Sequence, residues 1–220
     1  MAVSTPVRAT APPATTPGTS LPALPAGADT PAPAGRPHGT TVLGMKMLLA
    51  ADAMVLASLL VAFFTIKGGS PVWPARGVQL GTYLPTTITI TLAMSAASMA
   101  WMLVAIRRND QRNAFAAAVL TVILGLAVAN AQWYSIGNAN FGPSDHAYGT
   151  LYTVLLGFHL AHVIAGIVMV TVVAAQALAG HYGSDDHEPA TATAWFWQFS
   201  IVVWGAVVTA LFILSPHAHA

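Results

Sequence analysis

Five apolar segments, each near or above the length that crosses a lipid bilayer, occupy most of this sequence. A helix rises about 1.5 Å per residue, so about 20 apolar residues span a hydrocarbon core about 30 Å thick. Backbone groups in lipid must find their hydrogen bonds within the protein, which favours helices over open strands. The sequence therefore predicts an all-α membrane protein, a bundle of five transmembrane helices at about 42–66, 82–106, 114–134, 148–179 and 191–214.

The scarcity of charge supports this fold class and excludes several functions. Charged residues make up 7% of the chain, against about 25% in soluble domains, and the mean hydropathy is +0.65. A soluble enzyme or a disordered protein does not have this composition. The net charge of +1 gives no basic patch for nucleic acid. The absence of cysteine excludes disulfides, thiolate metal sites and cysteine nucleophiles.

The first 40 residues differ from the rest in being rich in proline, alanine and threonine. They contain too little apolar side chain to offset the entropy of ordering, which predicts a disordered tail at 1–40 before a transmembrane domain at 41–220. Prolines interrupt the tail and no continuous apolar stretch precedes Val42, so we expect no signal peptide and a tail that stays on the mature protein.

The positions of lysine and arginine predict which side of the membrane each terminus of the chain faces. The side of the membrane that holds the N-terminus also holds Lys46 and the Arg107, Arg108 and Arg112 group, whereas the opposite side holds Lys67 and Arg76. Positive loops stay in the cytoplasm, so we expect a cytoplasmic N-terminus and an external C-terminus.

Asp52 is the acidic residue that lies deepest in an apolar segment, about ten residues into the first one. A charged carboxylate at this depth costs at least about 2.5 kcal/mol, so we expect a protonated or hydrogen-bonded group. Two roles remain open for it: a carboxyl that handles protons or contacts lipid, and a structural hydrogen bond to a neighbouring helix.

His159 and His162 are three residues apart and share one face of the fourth segment. Two histidines on one helix cannot occupy opposite axial positions of one haem, and the other apolar segments contain no histidine. Metal sites normally use three or four ligands, so hydrogen bonding between helices explains the pair better than metal binding. The loop from His181 to Glu188 has residues suited to a weak cation site, but solvation explains it better.

Small residues indicate where helices pack closely, because association in lipid depends on close contact. Gly125 in the third segment and Gly157 and Gly166 in the fourth are such positions. They predict a tightly packed bundle.

The last two segments carry motifs that resemble subunit III of the haem–copper oxidases, the cytochrome c and quinol oxidases. The matching residues are Tyr148-Gly149-Thr150, the run from Gly157-Phe158-His159 through His162-Val163 to Gly166, and Ala194 to Phe199 with Val203-Trp204.

Earlier segments extend the resemblance over about 43–214, in the five-helix bacterial form. Gly44-Met45 and Ala50 to Met54 resemble a family segment in which Asp52 stands where glutamate is usual, and Gln132 matches a family glutamine. Gln198 replaces a usual histidine, Ile201 an aspartate and Ser135 a glutamate, as in a divergent branch.

The resemblance implies a non-catalytic subunit without haem or copper, those cofactors being held by partner subunits. It implies contact with oxidase subunits I and II and with phospholipids, and an indirect link to cytochrome c or a supercomplex. The expected location is a bacterial plasma membrane. The complex would reduce oxygen to water and pump protons. By the same resemblance Asp52 supports proton uptake and lipid binding, and His159, His162, Gly157, Gly166, Gln132 and Gln198 serve helix packing and hydrogen bonding.

Other assignments remain open or are disfavoured. A subunit III homologue of a quinol oxidase or nitric oxide reductase fits the same residues. A small transporter or channel fits less well, because five segments do not divide into an inverted repeat. A two-haem membrane cytochrome would need more histidines within the segments.

Overall fold

The computed structural model describes residues 39–180, 182 and 187–215. Residues 1–38 of the predicted tail, most of the loop from His181 to Glu188 and the last five residues lie outside this part. The described residues form five helices that are long and apolar enough to span a membrane, which confirms the predicted fold class. They are α1 Thr40–Gly69, α2 Tyr83–Arg107, α3 Gln111–Gly137, α4 Ala147–Leu178 and α5 Glu188–Val208, and α5 continues as a π-helical turn at Thr209–Ile213.

Several helices extend three residues beyond their approximate predicted bounds, because polar residues continue the helices past their apolar segments. Lys67, Gly68 and Gly69 continue α1, and Gln111 to Asn113 form the first turn of α3. The α5 helix begins at Glu188-Pro189, where proline suits the first helical turn. A hydrocarbon core about 30 Å thick needs only about 20 helical residues, so helices of this length have room for polar end turns.

The connector between α2 and α3 is only three residues long and shows how such a turn is made. Asn109 adopts a φ of 57°, a left-handed conformation that asparagine tolerates. Asp110 then caps α3 by accepting a hydrogen bond from the Asn113 backbone N–H at 3.1 Å. This bond, with a second one from the Asn113 side chain, holds the pKa of Asp110 below its usual range.

Four of the helices form a closed ring and the fifth lies outside it. In the ring, α2 packs against α3 and α5, and α4 packs against the same two helices. The outer helix, α1, packs against α5 and touches α4. Its buried residues, Leu49, Leu56 and Phe63, recur every seven positions. The α1 helix therefore contacts the ring along one narrow stripe.

Trp197 of α5 fills the centre of the ring and is 1% exposed. Its indole N–H donates to the Ser95 hydroxyl of α2 at 3.1 Å. A Cβ atom placed on Gly125 of α3 or on Gly166 of α4 would lie 2.8 or 2.7 Å from the indole ring. Both glycines thus make room for one tryptophan, which joins α2, α3, α4 and α5.

The predicted close packing at Gly157 is not found within the described chain. Apart from its chain neighbours and the nearby backbone of α4, no described atom lies within 4 Å of the position that a Cβ would take there. Gly157 lies on the opposite side of α4 from the tryptophan because it precedes Gly166 by nine residues, two and a half turns.

We predict that Gly166→Ala destabilises the bundle by about 1–3 kcal/mol, the usual cost of overpacking a core. The added methyl group meets an indole that Ser95 and Gly125 hold in place. Reversible unfolding in mixed detergent and dodecyl sulfate measures the change. Gly157→Ala is the matched control and should be neutral or slightly stabilising, and equal losses in both variants would refute the packing assignment.

Candidate functional site

Asp52 and His162 contact each other between α1 and α4. The Asp52 carboxylate oxygen Oδ2 and the His162 nitrogen Nε2 are hydrogen-bond partners, and the two side chains are 19% and 8% exposed. Asp52 follows Leu49 by three residues and precedes Leu56 by four, so it lies on the buried stripe of α1. The helix turn that buries α1 against the ring thus also aims the carboxyl at α4.

The second ring nitrogen of His162 determines where the protons lie. Its Nδ1 is 3.0 Å from the Phe158 carbonyl oxygen, and because a carbonyl only accepts, Nδ1 carries a hydrogen. One further proton then lies between Nε2 and Asp52, either on the carboxyl or on the ring. The pair is neutral overall in both arrangements, which suits a site of low dielectric.

Aromatic rings hold the imidazole of His162 in place. The Phe196 ring of α5 stacks on it with centroids 5.6 Å apart and planes 10° apart. The Phe158 and Phe199 rings lie 4.6 and 6.1 Å away. These contacts restrict the imidazole to the orientation that reaches Asp52.

His159 lies at the centre of a second polar cluster that joins α3, α4 and α5. Its Nε2–H donates to the Ser200 carbonyl oxygen at 3.1 Å, and its Nδ1 accepts from the Gln132 amide at 2.7 Å. His159 and Gln132 are fully buried. The imidazole is therefore neutral, with a hydrogen on Nε2 only. The Gln132 oxygen Oε1 is buried and has no hydrogen-bond partner among the described residues.

Neither membrane histidine has a nitrogen free to coordinate a metal. Both nitrogens of His159 and both of His162 already have hydrogen-bond partners. In the part of the chain that the structure describes, no three His, Cys, Asp or Glu residues come together as a metal site. The donor set does not fit a haem or a copper ion.

The structure brings four of the predicted site residues together in two pairs, places a fifth against Trp197 and leaves two apart. Asp52 meets His162, and Gln132 meets His159, whereas Gly166 contacts Trp197. Gly157 has no close neighbour, and Gln198 is exposed without a hydrogen bond in the described residues. The predicted hydrogen bonding of Gln198 therefore has no counterpart among the residues that the structure describes.

Two residues that contribute to the packing and hydrogen bonding of these helices are absent from the predicted set. Trp197 belongs to the motif after Ala194, yet its role depends on glycines in α3 and α4 that only the fold brings together. Ser200 contributes its backbone carbonyl to His159, and a backbone group leaves no trace in the sequence.

A sequence model of the family described as cytochrome c oxidase subunit III matches residues 37–215. Three similar proteins are named cytochrome c oxidase subunit 3. The one from Thermostichus vulcanus is 26% identical over 79% of the chain and 87% of its own length. The one from Prototheca wickerhamii is 30% identical over 73% of the chain and 64% of its own length.

The third, from Myxine glutinosa, is 34% identical over 60% of the chain and 51% of its own length. The chain thus spans less than two thirds of the length of the Prototheca and Myxine proteins.

We predict that Asp52→Ala lowers the free energy of unfolding by about 1 kcal/mol, within the range measured for hydrogen bonds between membrane helices. The substitution leaves His162 Nε2 without its partner. Ser58→Ala is the control on the same helix, because the Ser58 hydroxyl bonds only to its own helix, at Val55. Unfolding in mixed detergent and dodecyl sulfate compares the two, and equal stability would show that the Asp52–His162 contact does not hold α1.

Proposed function

The chain belongs to the cytochrome c oxidase subunit III family, and from this premise we propose that it is the non-catalytic subunit III of an aerobic respiratory terminal oxidase. The family match to residues 37–215 confirms the resemblance drawn from the sequence. The chain is a membrane protein, with five helices able to span a bilayer. In the proposed complex, partner subunits hold haem and copper, reduce oxygen to water and pump protons.

The main support for this proposal is that all four ring nitrogens of the two membrane histidines already have hydrogen-bond partners. A subunit that transfers electrons needs ligands for a redox centre, and His159 and His162 are engaged in bonds between and within helices. Their arrangement supports a stabilising function. Family membership implies a complex with other oxidase subunits, and we place this chain against subunit I and beside subunit II.

We assign the support of proton uptake to Asp52 and His162. Their shared proton lies about 18 Å along α1 from Thr40, since twelve residues rise about 1.5 Å each. The pair is partly exposed at the junction of α1 with the ring. A proton that shifts between the carboxyl and the ring leaves the pair neutral overall, so this step brings no net charge into the membrane. Phospholipids that pack beside α1 complete the proposed supporting role.

The proposed location is a bacterial plasma membrane, with the N-terminus in the cytoplasm and the C-terminus outside. Arg107, Arg108, Arg112 and Lys46 lie at the end of the bundle where α1 begins. The positive-inside rule supports this orientation. Any contact with cytochrome c, or with a supercomplex, would be indirect in this arrangement.

Purification of the tagged full-length chain from its native membrane tests the proposal. We expect oxidase subunits to co-purify and the complex to show haem absorption bands. The chain purified alone should show no haem band. Recovery without haem-containing partners, or a haem band at equal stoichiometry in the isolated chain, would contradict the proposed function. Assays of the complex with reduced cytochrome c or quinol as donor, and with oxygen or nitric oxide as acceptor, distinguish a cytochrome c oxidase from a quinol oxidase or nitric oxide reductase.

We predict that Asp52→Asn leaves assembly intact but shortens the time for which the oxidase sustains turnover. The asparagine amide N–H can still donate to His162 Nε2, so the contact between α1 and α4 remains, whereas the exchangeable carboxyl proton is lost. The measurement follows oxygen consumption through many turnovers, with Ser58→Ala as the control. Identical activity decay in Asp52→Asn and wild type would exclude a role for the carboxyl proton.

A further inference from the structure

The first turn of α4 is capped by a histidine side chain. His146 precedes the helix, and its ring nitrogen Nδ1 accepts a hydrogen bond from the Gly149 backbone N–H at 2.8 Å. A nitrogen that accepts this bond carries no hydrogen, so the capping imidazole is neutral, with its hydrogen on Nε2. The side chains that usually cap helices are those of serine, threonine, aspartate and asparagine, whose protonation does not change between pH 5 and 8.

The cap fastens the connector between α3 and α4, residues 138–146, to the start of α4. The Thr150 hydroxyl of α4 donates to the Pro143 carbonyl oxygen at 2.5 Å. A Cβ atom on Gly149 would overlap the Gly142 carbonyl oxygen, so the connector lies directly on the helix at this point. Gly149 is buried there, and the imidazole is the acceptor for its N–H.

The α3–α4 connector also holds the connector between α1 and α2. The Asn140 side-chain amide donates to the Gly77 carbonyl oxygen at 2.7 Å, and its Oδ1 accepts from the Gln79 backbone N–H at 3.3 Å. The two connectors therefore meet at one end of the bundle. Release of the α3–α4 connector from α4 would loosen the segment that joins them.

Protonation removes the acceptor on which the cap depends. A hydrogen on Nδ1 would point at the hydrogen of the Gly149 N–H, and the charged ring would lie at the helix end where the backbone dipole is already positive. We infer that His146 is a pH-sensitive cap. It holds the α3–α4 connector on α4 while it is neutral and releases the connector when it is protonated, in the range between pH 8 and 5 in which histidine side chains titrate.

Few charged or titratable groups surround His146. In its own connector, the Asp145 carboxylate accepts from the Gly142 backbone N–H at 2.6 Å. In α4, the Tyr148 ring centroid lies 6.3 Å from that of the imidazole. Arg76 is the charged residue of the α1–α2 connector and forms no hydrogen bond or ion pair with His146 in the described part of the chain. The bond to Gly149 is therefore the contact that protonation of His146 changes most directly.

The cap of α3, at the opposite end of the bundle, does not have this sensitivity. Asp110 caps α3 through its carboxylate, and hydrogen bonds from Asn113 hold its pKa below the usual value of 3.8. The folded form favours the ionised carboxylate, so this cap is complete above that value and weakens only in stronger acid. At pH 5 the α3 cap is intact, which makes it an internal reference.

The proposed orientation places the His146 cap on the outer side of the membrane, the side to which proton pumping delivers protons. Acid on that side would release the connector, whereas a neutral exterior would keep it on α4. This placement rests on the proposed function. The response of the cap to pH rests only on the bond between His146 and Gly149.

Hydrogen–deuterium exchange of the full-length chain in lipid nanodiscs, measured at pH 7.5 and 5.0, tests the inference. The rates are corrected for the intrinsic effect of pH on amide exchange. We expect the amides at 147–151 to exchange at least about fivefold faster at pH 5.0, the effect of losing a side-chain cap worth about 1 kcal/mol. The amides at 111–115, behind the Asp110 cap, should change by less than twofold.

Two variants separate titration from capping. His146→Asn supplies a capping oxygen that does not titrate, so exchange at 147–151 should be the same at both pH values. His146→Ala removes the acceptor and should exchange at pH 7.5 as the wild type does at pH 5.0.

Wild-type exchange at 147–151 that does not respond to pH would overturn the inference, and so would an equal response in His146→Asn. If a variant does not fold, the comparison of 147–151 with 111–115 in the wild type decides. Because the isolated chain is measured, the result is independent of whether the chain co-purifies with an oxidase.

Discussion

The need to satisfy every polar group inside the protein governs how this bundle is built. Water is absent from the hydrocarbon core, and three pairs of polar side chains bond across the helices from α2 to α5. Trp197 bonds Ser95, Ser98 bonds Thr121 at 2.7 Å, and Gln132 bonds His159. Small residues such as Gly166 bring the helices close enough for these bonds to form. Polar pairing and close packing together hold the ring.

The outer helix follows the same rule with fewer contacts. Only one apolar residue in every two turns of α1 is buried against the ring. Three polar contacts supplement this packing. The Gly39 N–H donates to Glu188 at one end, Lys67 donates to the Leu214 carbonyl at the other, and Asp52 meets His162 between them. The α1 helix is thus held by contacts at both ends and in the middle, and the contact in the middle carries the shared proton.

The sequence predicted the five helices because long apolar segments have few alternatives in a bilayer. It also indicated Gly166 and the use of membrane histidines in hydrogen bonds. It did not pair Asp52 with His162, since 110 residues separate them and no local spacing reports which helices become neighbours. Gly157 and Gln198 are assigned to packing by the resemblance, and a motif match alone does not tell which side of a helix faces the ring. The predicted helix bounds follow the apolar segments, so they end before the polar residues that continue α1 and α3.

The central claim is that one proton is shared between Asp52 and a His162 ring whose Nδ1 carries its own hydrogen. Solid-state nitrogen NMR of the histidine-labelled chain in bilayers measures this directly, with the His162 signals assigned through a His162→Gln variant. The account predicts a protonated Nδ1 and a hydrogen-bonded Nε2 whose shift changes in Asp52→Ala. An unprotonated Nδ1, or an Nε2 signal that is unaffected by the loss of Asp52, would contradict it.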